Sequence, residues 1–166
     1  MPVDSYKYLP RSFRVMYEGG APIDEPPAWT PLPKPLHRCT IALMTSAGVY
    51  LRDSQPPFDE EREWREPTWG DPTFRVIPSG VRQDQVGCSH LHINTAPILE
   101  DVDVVLPLRA FRQLEAERAI GALAAEHYSF MGYQEAGLAS WRTQQGPELV
   151  ARLKERAVDV LLLAPA

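Results

Sequence analysis

Two apolar runs frame the chain. Cys39 to Met44 is almost continuously apolar, the pattern of a strand covered on both faces, and Val158 to Leu163, broken only by Asp159, repeats it near the C-terminus as a final buried strand. Between them, Phe74 to Ile77 reads as a short strand stopped by Pro78-Ser79-Gly80, and Val86 to Ile93 as another strand. Tyr128 to Tyr133 fits strand or loop. Leu106 to Ala119 has helical periodicity, with Pro107 in the first turn, where its missing N–H costs nothing. Leu108, Phe111, Leu114 and Ile120 form the stripe it buries. Gly146-Pro147-Glu148 opens a second helix through Arg156, with Leu149, Val150 and Leu153 on one side. Residues 52–73 read as a long polar loop, and a loop of that length in a compact domain is usually functional.

Strand, loop, strand, helix, helix, strand is the order of an α/β domain. The expectation is three layers, a small and mostly parallel sheet flanked by helices, over residues 38–166. Residues 1–37 read as an irregular, proline-rich arm. Pro22 to Pro35 cannot sustain a helix or a central strand, and Tyr6, Tyr8, Phe13 and Tyr17 are too apolar to float free. A sheet this small keeps exposed edges unless a second copy covers one, so a homodimer is expected.

Composition narrows the classes. With 166 residues the chain fits one domain, and 44% hydrophobic with 23% charged residues is an ordinary soluble balance. A net charge of −5 with no basic stripe excludes nucleic acid as a partner. No apolar run approaches the length of a membrane span, and the first residues lack the core of a signal peptide, so a cytoplasmic location is expected. There the two cysteines, Cys39 and Cys88, are expected to be reduced.

Candidate chemistry gathers on Cys88-Ser-His-Leu-His92. On a strand, residues two apart share a face about 6.5–7 Å apart, so Cys88, His90 and His92 would project together. Two imidazoles and a thiolate at that spacing suit a divalent transition metal, zinc or iron. The plainer reading is a pair of half-exposed histidines bonded to carboxylates or backbone. His127 is the natural third ligand or general base, with Asp71 or Glu66 as a further donor. Cys88 is alternatively a nucleophile activated by a neighbouring imidazole. Thr45 and Ser46, in the small-residue turn after the first strand, and Arg75 and Asp71 are candidate substrate contacts. Arg82 is either a second clamp for an anion or solvated surface. Cys39, at the head of an apolar strand, reads as a buried inert thiol.

Several stretches taken in order resemble the selenoprotein B family of glycine, sarcosine, betaine and D-proline reductases. They are Ala42–Gly48, Gly70–Pro78, Ser89–His92, Asp103–Pro107, Ile120-Gly121, His127–Gly132 and Val158–Pro165. The resemblance implies reductive C–N cleavage of a small amino-acid-like substrate by a selenol and a nearby thiol. It also implies a carbonyl cofactor carried on a partner subunit, and site histidines at His90, His92 and His127. The chain has no Cys-x-x-Cys, and it resembles the front portion of the family. Three functions are therefore in play: an enzyme or enzyme subunit with a histidine-centred site, a non-catalytic partner subunit of a reductase-type complex, and a metal- or thiol-binding sensor or carrier.

Overall fold

The computed structural model describes residues 30–66, 68–134 and 137–166, and every element below lies in the unit Leu32–Ala166. Most of the expected arm falls outside the described residues. The central strand is β1 (Thr40–Thr45). Ile41 and Leu43 point to one side of it, and Ala42 and Met44 to the other. Both sides are covered, which is why the run reads as continuously apolar.

The remaining strands are β2 (Val49–Leu51), β3 (Phe74–Pro78), β4 (Val86–Cys88), β5 (Ala122–Leu123), β6 (Glu126–Phe130) and β7 (Val160–Ala164). β7 runs parallel to β1 from Ile41 to Thr45 and so occupies one edge of it. β5 and β6 therefore share the other edge, also in parallel. β3 adds antiparallel to β6, and β2 with β4 forms a separate antiparallel pair. The result is an α/β fold around a mixed sheet in which β3 is the one antiparallel strand.

The α-helices of five residues or more among the described residues are α1 (Glu60–Arg65), α2 (Ala96–Glu100), α3 (Leu108–Ala116) and α4 (Gly146–Glu155). One apolar layer joins Ile41, Leu43, Val49, Val86, Ile98 and Leu108, with Phe111 and Leu114 of α3 packed on it. The second joins Ala42, Met44, Tyr128 and Leu149 of α4. Layers on opposite faces of one sheet make the expected three-layer arrangement.

The structure corrects three details. The strand expected over 86–93 stops at Cys88, and His90 and His92 lie in the turn that follows. The polar loop 52–73 contains α1, capped at Asp59, whose carboxylate accepts from Arg62 N at 3.0 Å. The last strand is an edge, not a buried strand: Leu163 is 62% exposed, and among the described residues β7 pairs only with β1. No helix among the described residues is long and apolar enough to cross a membrane.

Because β1, β6 and β7 are parallel, their carboxyl ends emerge at one edge of the sheet, where α/β folds collect ligands. The turns Ser46–Gly48 and Met131–Tyr133 leave from that edge, and Ala166 reaches back to it, its N–H donating to Ser46 Oγ at 2.9 Å.

Candidate active site

Backbone contacts fix the turns before any side chain acts. Gly48 has φ +68°, and a Cβ there would lie 1.9 Å from Ser89 O. Ser89 N donates to Gly48 O at 2.9 Å, so the turn after β1 and the turn after β4 are clamped to each other. Gly70 plays the same part across the site, since its Cβ would fall 1.7 Å from Tyr133 O. Thr45 and Ser46 spend their hydroxyls on this scaffold. Thr45 Oγ1 accepts from Ala47 N at 3.3 Å, and Ser46 Oγ takes the Ala166 N–H.

The clamped turn presents His90 and His92 differently. His90 is buried, and its Nδ1 accepts from His92 N at 3.1 Å, so the neutral ring carries its proton on Nε2. Burial first, and His92 second, hold His90 below the usual imidazole range. His92 swings outward. Its side chain is 54% exposed, packs on the Tyr133 ring at 5.3 Å between centroids, and sets Nε2 3.1 Å from Glu63 Oε1.

Glu63 is the unexpected member. It is the one buried residue of α1, its side chain only 2% exposed. Burial raises its pKa, His92 pulls it back down, and Glu60 and Asp71 push it further up. A carboxylate in that position orients the imidazole. Beside it a groove of about 390 Å³ is lined by Pro56 to Glu61 and Ser89.

Asp71 and Arg75 hold the wall of that groove and are themselves buried. Asp71 Oδ2 accepts from Asp59 N at 3.2 Å and lies 3.7 Å from Arg75 Nη2. Arg75 donates to Pro56 O at 3.0 Å and Pro57 O at 3.2 Å, and its guanidinium stacks 4.2 Å over the Phe58 ring. Both residues shape the 56–59 segment. On the surface, Glu66 pairs with Arg62 and Arg82 with Asp84.

The expected four-donor set is not assembled. Cys88 Sγ donates to Ala47 O at 3.1 Å, and burial, then Glu60, pushes the thiol up to about 11. That environment favours thiol over thiolate. His127 is fully buried on β6. Its Nδ1 accepts from Leu43 N at 3.0 Å, filling the break in the ladder between β5 and β6, and Nε2 is buried with no partner among the described residues. Burial, then Arg112, lowers its pKa to about 4. Among the described residues no three His, Cys, Asp or Glu side chains converge on a metal position. His90 Nδ1, His92 Nε2 and His127 Nδ1 each have another partner. Cys39 and Cys88 are both free, and Cys39 is buried as expected.

The sequence profile of the glycine/sarcosine/betaine reductase selenoprotein B family matches residues 23–166. The chain belongs to that family. A curated relative, the D-proline reductase subunit gamma of Acetoanaerobium sticklandii, is 34% identical over 142 residues, covering 86% of this chain and 54% of the relative. The chain thus spans about half the length of that curated relative. No solved structure matches it.

Four of the stretches that carried the resemblance meet at one place. Ala42–Gly48 supplies β1 and its turn, Gly70–Pro78 supplies the Gly70 contact and β3, Ser89–His92 the histidine turn, and His127–Gly132 most of β6 and the turn after it. Glu63 is the member that sequence reading missed. The Asp59-Glu60-Glu61 start of α1 was the available signal, a capping acid followed by acids in a first turn.

Proposed function

We propose that this chain forms the proton-transfer side of a reductase active site. His92 is its acid–base group, Glu63 the orienting carboxylate, and the groove from Pro56 to Glu61 the seat of a small amino-acid-like substrate. The observation that carries this reading is the 3.1 Å contact between a buried Glu63 and a half-exposed His92. Reductive C–N cleavage takes two electrons, leaves hydrogen on carbon, and expels the nitrogen with a proton. Protonated His92 delivers that proton, and Glu63 balances the imidazolium before it does so. In this reading the electrons come from a thiol or selenol pair on a partner subunit.

The name of the curated relative makes D-proline the first substrate to test. The chain is assayed with a redox-bearing partner subunit and a dithiol reductant. His92→Gln is expected to lower kcat by about 10²–10⁴-fold with a small change in KM, and Glu63→Gln by less. Unchanged kcat in both variants would overturn the reading. The homodimer belongs to the same proposal, with a second copy adding its strand to the open edge of β7. Sedimentation showing only monomer at working concentration would remove that part.

A further inference from the structure

Charge is unevenly distributed around the groove beside His92. Pro56 to Phe58 supply an apolar wall, and the polar lining is Asp59, Glu60, Glu61 and Ser89, three carboxylates and a hydroxyl with no cationic side chain. Two of the carboxylates are spent. Asp59 Oδ1 caps α1 by accepting from Arg62 N at 3.0 Å, and Glu61 pairs with Arg65 at 3.4 Å. The Glu60 carboxylate has no hydrogen bond and no ion pair among the described residues. It stands three residues before Glu63, on the same helical face. Burial is the main reason the Cys88 thiol lies high, and the Glu60 charge is the second. Glu63 too is raised first by burial, with Glu60 adding to it. A charge felt at both lies on the inner side of α1.

A buried hydroxyl opens on the same groove. Ser89 is only 4% exposed. Its backbone is turned to Gly48, the N–H donating to Gly48 O and the carbonyl filling the space that a Cβ on Gly48 would need. Its hydroxyl makes no hydrogen bond among the described residues, so the groove that Ser89 lines is its outlet. Buried polar groups are normally paired, and one that opens only on a groove marks a place for a ligand atom. The nearby cations are answered elsewhere. Arg75 is met by Asp71 and by the carbonyls of Pro56 and Pro57, and Arg62 by Glu66. The groove therefore keeps an unbalanced negative charge.

We infer that the groove recognises the ammonium end of its substrate, with Glu60 as counter-charge, Ser89 as hydrogen-bond acceptor, and Pro56 and Pro57 against the apolar body. An ammonium has N–H donors only, which suits a carboxylate and a hydroxyl oxygen. A ligand carboxylate in the same place would meet Glu60 as a like charge. The assignment rests on the substrate seat proposed above. It sets the amine nitrogen on the face of α1 that carries Glu63, the partner of His92.

Pyrrolidinium and cyclopentanecarboxylate share a five-membered ring and carry opposite charges, which makes them the probes. Saturation-transfer NMR titration of the whole chain at neutral pH is expected to show saturable pyrrolidinium binding and none for cyclopentanecarboxylate. Glu60→Gln, at a partly exposed and unpaired position that the fold does not rely on, should weaken pyrrolidinium at least about tenfold, and Ser89→Ala about three- to tenfold. Glu148→Gln removes the carboxylate that lines a separate groove between α4 and β3, and should leave the affinity unchanged. Equal binding of both probes, no saturable binding, or affinity that survives Glu60→Gln would overturn the inference. So would loss on Glu148→Gln, which would place the cation in the other groove. None of these readouts needs turnover, so unchanged kcat in His92→Gln would fail the proton-transfer reading alone.

Discussion

His127 and Gly48 state the residue-scale claims most sharply. The neutral imidazole of His127 is built into the sheet, accepting the Leu43 N–H, with its pKa down to about 4 against an ordinary 6.5. Between those values the unfolded chain binds a proton that the folded chain refuses, so stability rises with pH across that window and is lost on acidification. The loss by pH 4 should reach roughly 3 kcal/mol. Urea midpoints from pH 7 to 4 measure it, and His127→Gln, whose carbonyl can still accept from Leu43, should flatten the curve. An equal slope in the variant would remove His127 as the cause. At Gly48, alanine meets both a positive φ and the Ser89 carbonyl. Gly48→Ala should cost roughly 1–3 kcal/mol, or more if the clamp must open, read as a lower Tm. Cys88, its thiol held on Ala47 O, should react with iodoacetamide far more slowly than a free thiol at neutral pH, and alkylation at a free-thiol rate would contradict its described environment.

At the scale of elements, α1 is the unusual piece. Helices normally dock through an apolar stripe, yet the only buried side chain of α1 is Glu63, and Trp64 stands 78% exposed. Its attachment therefore rests on polar contacts, and it belongs to the low-stability end of the fold. Replacing Glu63 with Ala should raise amide exchange across residues 60–65 by at least about tenfold while β1 keeps its protection. Equal protection in the variant would show that other contacts hold the helix. This same feature explains what could be read in the sequence. β1, β3, α3 and α4 announced themselves because their apolar periodicity matches the layers they bury. α1 did not, because it has no such pattern and follows Pro56-Pro57. The strand expected over Val86 to Ile93 overran because Leu91 and Ile93 are apolar and strand-compatible although pairing ends at Cys88. Residue type singled out the histidines of this turn, though on an expected strand that the structure ends at Cys88. The partner of His92, Glu63, comes from 29 positions away and is set by tertiary packing alone.

For the molecule as a whole, parallel strands deliver three chain ends to one edge, and glycine contacts lock the turns there into a fixed cradle. A preformed cradle with an oriented imidazole and no thiolate suits the transfer of a proton better than the transfer of electrons. The most direct measurement is kcat for D-proline reduction by His92→Ala in the reconstituted complex, with and without added imidazole. The expected result is a loss of about 10² or more, partly restored by imidazole entering the space left by the side chain. A His92→Ala variant that turns over at the parent rate would contradict the account.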